Sequence, residues 1–402
     1  MSPRTLELLD LIARWVHVVA GIMWIGNSLL FNWLDRILQP SSRKAEGEGE
    51  EGEGMQGEAW LVHSGGFYFL EKTQLIGRQL PRPLHWFKWQ AYTTWLSGAV
   101  LLVVVYYAGG RALLVGGASP DLSPAAAAVI AIGAIVGTWV VYDVLWRFLA
   151  PQSRALAAVL SLAGLVALTW LLIWALSGRA AFLHVGAALG TIMAGNVAMI
   201  IMPSQRALVA GVAQGRGSDP AVADQAKLRS IHNNYLTFPV VVLMMSSHFP
   251  SLYGHRLSWI ILLLLIAAGA AVRHVMNARF TFGRWVPALA ATIAVSTVAL
   301  YVLIHSGGGR RNVTTATAAV TFEDVRSVLD RRCTACHSAH PSDLSFGPAP
   351  GGAAFDTPDQ IRALAARIRE RAVETHTMPP ANKTRITAEE RELLGRWSAS
   401  PR

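Results

Sequence analysis

Apolar residues gather in eight long stretches, roughly residues 8–33, 87–108, 124–148, 155–177, 180–203, 232–249, 257–280 and 285–305. Each has about the length that crosses a bilayer as a helix. The sixth, HNNYLTFPVVVLMMSSH, is polar at both ends, and the topology would invert beyond it if it did not span. Two segments break the pattern. EGEGEEGEG (46–54) is acidic, glycine-rich and low in complexity, which predicts a disordered insert. SGGGRRNVTTATAAV (306–320) reads as a flexible linker, and a small polar domain follows over 321–402. The expected fold class is all-α: an eight-helix transmembrane bundle over residues 1–305, the linker, then the small domain.

Charge sets the orientation. Loops 34–88, 147–154, 204–231 and 279–284 hold 7, 2, 4 and 2 Lys and Arg, 15 in all. The N-terminal tail and loops 109–123, 178–179 and 250–256 hold one each, 4 in all. The positive-inside rule puts the first set in the cytoplasm and both termini outside, in the periplasm if the membrane is a bacterial inner membrane. The first apolar stretch lacks a small-residue cleavage site, so it is read as a span. The chain has 402 residues and is only 15% charged, against about 25% in soluble domains. Its net charge of +10 belongs to the bundle, because the last 82 residues carry 12 basic and 11 acidic side chains. No basic block points to nucleic acid; the expected surroundings are membrane lipid.

The chain's two cysteines lie in RRCTACHSAH. Cys333, Cys336 and His337 form Cys-x-x-Cys-His, the attachment pattern of one covalent haem c: two thioethers hold the porphyrin and the adjacent histidine ligates the iron. A zinc site would need further ligands and a redox dithiol a βαβ setting, and the sequence offers neither. Met378, 41 residues after His337, is the expected sixth ligand, with His376 as competitor. His340 is too close to the motif to reach the opposite face. THTMPPANKTRIT, placed before a terminal helix, resembles the methionine loop of small class I cytochromes c. Haem c is attached outside the cytoplasmic membrane, in agreement with the charge count.

Nine histidines precede this domain, and ionisable residues inside membranes are functional by default. The spans place His17, His184, His248 and His305 in an outer layer, and His85, His232 and His274 near the cytoplasmic ends; His63 lies in the first cytoplasmic loop. HVVAGIMWIGN (17–27) and HVGAALGTIMAGN (184–196) resemble each other. His17 shares a helix face with Gly21, Trp24 and Ser28; His184 shares one with Ala188, Thr191 and Gly195. Small-residue helix packing explains the glycines and alanines but not two histidines at matching depth. A bis-histidine haem b between His17 and His184 is expected, or one of them with His248 or His305.

HSGGFYFLEKTQLIGRQLPRPLHWFKWQAYTTW (63–95) is rich in aromatic, basic and histidine residues. Gly65 and Gly66 permit φ > 0 or close backbone approach. Phe67, Tyr68, Trp86 and Trp89 could stack a planar ring, and Lys72, Arg82 and Lys88 could neutralise an anion. His63 and His85 could move protons. An interfacial aromatic belt with snorkelling cations is the bland alternative. Asp143, Arg273 and Asn277 lie at similar depth and could line the same site.

Taken together, ARWVHVVAGIMWIGNSLLFNWL, HSGGFYFLEK, LHWFKWQAYTTWLSG, AGNVAMIIMPSQR, HNNYLTFPVVVLMMSSHFP and CTACH…TMPP resemble the membrane-bound urate oxidase (urate hydroxylase) family over nearly the whole chain. Two departures are the Glu-Gly run and Ser64, where glycine is expected. The first span also resembles the haem-binding first helix of bacterial protoporphyrinogen oxidase-like membrane proteins. The resemblance implies oxidation of urate to 5-hydroxyisourate with water as the oxygen source. Electrons would pass through haem to haem c, then to a soluble cytochrome c or a terminal oxidase. On this reading His63 or His85 takes the proton, Lys72 and Arg82 hold the anion, and Gly66, Phe67, Tyr68, Trp86 and Trp89 line the ring. A quinol-oxidising membrane cytochrome with a fused haem c domain is the alternative; an inert membrane anchor would not require two histidine layers.

Overall fold

Residues 3–39, 55–73, 75, 80–81, 83–108, 111–116, 122–216, 219–306, 320–343 and 349–399 are described by a computed structural model. The acidic run 46–54, Arg82 and all but the ends of the linker lie outside them. Eight long helices follow in order: α1 (Pro3–Ile37), α2 (Trp89–Ala108), α3 (Pro124–Leu149), α4 (Arg154–Ala175), α5 (Gly178–Ala213), α6 (Pro220–Met245), α7 (Ser258–Ala278) and α8 (Trp285–Ser306). All but α6 are long and apolar enough to cross a membrane. The helix α6 is 26 residues long but buries the polar residues Arg229, Asn233, Asn234 and Thr237. It starts 12 residues before the expected sixth stretch, and its continuation, Ser246–His248, is a 3-10 turn.

Helix starts follow from local chemistry. Ser123, Ser153, Ser177 and Asp219 each accept a hydrogen bond from a first-turn N–H of α3 to α6, and Pro124 and Pro220 occupy the first turn. Of the apolar window of α5, 61% is buried, against 0% for α8, so α5 is the axis of the bundle and α8 is peripheral. Helices α3, α4 and α6 pack on α5, α7 packs between α6 and α8, and α1 lies along α2. Three long helices widen into π turns, at Val103–Ala108, Leu145–Leu149 and Val197–Ile201. Such turns cost hydrogen-bond geometry and recur at functional sites. Here each lies beside a cluster of polar side chains.

The all-α expectation needs one correction. Met55–His63 (β1) and Gly66–Thr73 (β2) form an antiparallel hairpin in which His63 pairs with Gly66 and Val62 with Phe67. Its turn residues, Ser64 and Gly65, have φ of 51° and 75°. Two successive positive φ values match the right-handed twist of paired strands. The left-handed positions are thus Ser64 and Gly65, not Gly66. Lys72 pairs with Asp35 of α1 at 2.7 Å.

The C-terminal domain is built on α9 (Phe322–Arg332), α10 (Pro358–Ala363) and α11 (Ala388–Ser398). Thr321, Thr357 and Thr387 each open a reciprocal capping box. Val325, Leu329, Ile361, Ile368, Leu394 and Trp397 form its core. Leu329, Ile361 and Leu394 are fully buried, each contributing about 1.5–3 kcal/mol of transfer free energy. The domain rests on the bundle end that carries Arg111–Leu114 and Tyr253–Gly254. A Cβ on Gly254 would stand 2.5 Å from Thr375 Cβ, so only glycine allows this approach.

Candidate functional site

The C-terminal domain contains a crevice lined by Cys333, Cys336, His337 and Met378, together with Leu113 and Arg179 from the bundle. His340 and His376 do not line it. His337 Nδ1 donates to Ala353 O at 2.8 Å, which leaves the Nε2 lone pair for a ligand. Burial pushes the Cys333 thiol up to about 12 and raises Cys336, where Asp343 adds to the effect. Burial also lowers His337, so the imidazole is neutral at pH 7. Two neutral thiols, a free imidazole lone pair and a thioether on one crevice fit haem c. Met378 N donates to Arg371 O at 2.9 Å and Arg391 donates to Met378 O at 2.8 Å, which fixes the methionine loop. Among the described residues no three His, Cys, Asp or Glu converge as a metal-ion site.

A second polar cluster lies far from this crevice. Tyr142, in the last turns of α3, is 18 residues from Pro124, about 27 Å along the helix. Its hydroxyl lies 2.7 Å from His232 Nδ1 and accepts from Asn196 Nδ2 at 3.1 Å. Asn196 also donates to Asn233, which donates to Met193 O. The π turn that follows Tyr142 sets Trp146 against His232, with ring centroids 4.1 Å apart. Arg229, whose side chain is 0% exposed, pairs with Asp143 at 2.9 Å and lies 4.8 Å over the Tyr142 ring. Arg273 Nε and Asn277 Nδ2 both donate to Asn234 Oδ1. Four buried polar atoms have no partner: Arg229 Nε and Nη1, Asn196 Oδ1 and Asn277 Oδ1. Buried polar groups are normally satisfied, so these unpartnered atoms mark the two groups as candidate binding positions.

His17 and His184 each take hydrogen-bond partners within the bundle. His17 Nδ1 donates to Thr94 O at 2.8 Å, and its ring lies 3.0 Å from where a Cβ on Gly98 would stand. His184 Nδ1 donates to Ala180 O, and its Nε2 takes the Tyr107 hydroxyl at 2.8 Å. Thr94 and Tyr107 are 13 residues apart on α2, about 20 Å along its axis. His248 and His305 face outward; His305 stacks on Tyr301 at 4.0 Å.

A family model described as urate oxidase N-terminal matches residues 3–305. The chain belongs to that family. No curated protein and no solved structure matches it. The urate oxidase N-terminal region thus coincides with the eight-helix bundle, and Cys333, Cys336, His337 and Met378 lie beyond it. Among the described residues, the hairpin's aromatic side chains do not stack on one ring. Phe67 and Tyr68 are consecutive on β2 and point to opposite faces, so they cannot stack one ring together. Phe67 is 79% exposed, and His63, His85, Tyr68 and Trp89 are also exposed. Trp86 packs with Val197 and Met202, while Lys88 covers the Trp89 ring at 5.3 Å. Lys72 is occupied by Asp35. His274 lies 2.8 Å from Tyr235 OH, one helix turn from Asn277. Sequence reasoning named Asp143, His232, Arg273 and Asn277 but missed Tyr142, Arg229, Asn196, Asn233 and Asn234. The signal was present: Arg229, Asn233 and Thr237 recur every four residues on one face of α6.

Proposed function

We propose that this is a multi-pass membrane enzyme that oxidises urate to 5-hydroxyisourate. The match of the bundle to the urate oxidase N-terminal family carries this reading. Urate is planar, anionic at neutral pH, and edged with alternating N–H and C=O groups. The buried cluster supplies the complement. Arg229 and Arg273 hold the anion, Asn196 and Asn277 oxygens accept from ring N–H groups, and Trp146 bounds the ring plane. His232, in the tautomer whose Nδ1–H donates to the Tyr142 oxygen, receives a proton at Nε2. The reaction balances as urate plus water giving 5-hydroxyisourate, two protons and two electrons. A bond forms between ring carbon and water oxygen, and no dioxygen is consumed. Held by Cys333, Cys336, His337 and Met378, haem c supplies a one-electron acceptor that a soluble cytochrome c or a terminal oxidase reoxidises. The charge count supports a cytoplasmic cluster and a periplasmic C-terminal domain. Turnover in isotopically labelled water tests this: the label should enter 5-hydroxyisourate, and label arriving instead from dioxygen would reject the proposal.

A further inference from the structure

The haem-type crevice is not closed by the C-terminal domain alone. Arg179, at the start of α5, and Leu113 line it from the bundle. Arg179 Nε and Arg371 Nε are both buried and lack a hydrogen-bond partner. The other basic groups of the rim are engaged. Arg332 pairs with Glu390 at 2.9 Å, Lys383 pairs with Asp343, and Arg367 donates to Gly351 O. Arg179 makes no ion pair within 4 Å among the described residues. A guanidinium nitrogen without a partner is costly, and two arginines that each carry one line this crevice, a setting that favours an anion. Arg371 is also the pivot of the interface: its backbone carbonyl accepts from Met378 N, and its side chain bonds Tyr253 of the bundle.

We propose that Arg179 of the bundle, together with Arg371, binds a propionate carboxylate of the covalent haem. The haem edge is then shared between the two parts of the chain, and a bundle residue tunes a cofactor attached to the other domain. This rests on the haem c reading above. A guanidinium beside the haem favours the reduced iron, which carries one positive charge fewer.

The test uses the full-length holoprotein with Arg179→Gln, Arg179→Lys and, as a control cation of the same end, Arg256→Gln. Covalent haem is read by haem staining, the propionate by its resonance Raman bending band, and the iron by redox titration. Arg179→Gln should keep stained haem, shift the propionate band and lower the midpoint potential; Arg256→Gln should change none of these. Arg179→Lys keeps the charge but not the fork, so it should shift the band while the potential stays near wild type. A stained Arg179→Gln protein with unchanged band and potential overturns the proposal. If that variant does not accumulate, an unchanged band in Arg179→Lys overturns it equally. Wild-type protein without stained haem would instead reject the haem c reading itself.

Discussion

Asp143→Asn should destabilise the bundle by about 3 kcal/mol. The magnitude follows from what the substitution strands. Arg229 is 0% exposed, and its pairing with Asp143 at 2.9 Å is its ion pair. Removing one partner of a buried pair costs about 3–5 kcal/mol, because the other charge is left uncompensated. The lower end applies here, since Asp143 O at 3.3 Å and the Tyr142 ring face at 4.8 Å remain. That is about a hundredfold in the unfolding equilibrium. Arg147, the second partner of Asp143, is 42% exposed, so Arg147→Ala should cost only about 0–1 kcal/mol. Combining Asp143→Asn with Arg229→Met removes the stranded cation and should restore most of the loss. The assay is equilibrium unfolding of purified protein in detergent, followed by tryptophan fluorescence. An Asp143→Asn protein within about 1 kcal/mol of wild type, or a double variant no better than the single one, would refute the reasoning.

Further outcomes follow from other contacts. Tyr142→Phe removes a hydroxyl shared by His232 and Asn196; it should cost about 1–3 kcal/mol and reduce urate turnover more than folded yield, measured by initial rates. Lys72→Ala breaks an exposed pair and should change stability by about 0–1 kcal/mol with no change in the KM for urate, whereas a tenfold rise in KM would return the substrate to the hairpin. Gly254→Val drives a side chain into Thr375 and Thr377, so haem staining should persist while urate-driven haem c reduction slows in stopped-flow measurements. Burial works against ionisation of Glu390, but hydrogen bonds from Arg332 and Thr387 outweigh it and hold the carboxyl below its ordinary range. Its stabilisation is therefore full above the unfolded value of about 4.3 and is lost as pH falls through the lower folded value. The C-terminal domain should hold at pH 5 and weaken below about pH 4, and Glu390→Gln should flatten that acid limb in a circular dichroism titration.

The parts of this protein that were legible in its sequence are the ones encoded locally. Each long apolar helix is declared by about twenty consecutive residues, and the Cys-x-x-Cys-His run by five. The α6 boundary was harder, because Asp224, Lys227 and Arg229 make the start of the helix look like a cytoplasmic loop. Strand alternation in 55–73 was hidden by aromatic residues on both faces of the hairpin, which suggested a converging pocket. The relative placement of His17 and His184 was not legible either. Similar stretches share a periodicity within each helix, but axial offset between helices is set by packing, here Thr94 against His17 and Tyr107 against His184. Polar pairs such as Tyr142–His232, 90 residues apart, carry no local signal of their partnership.

The central claim joins urate oxidation in the bundle to the C-terminal haem. The most direct measurement is an anaerobic reduced-minus-oxidised spectrum of the purified full-length protein with urate as the sole donor. The account predicts a c-type α band that grows with urate and is absent when Cys333 and Cys336 are replaced by alanine. A protein that develops this band with a quinol but never with urate would contradict it.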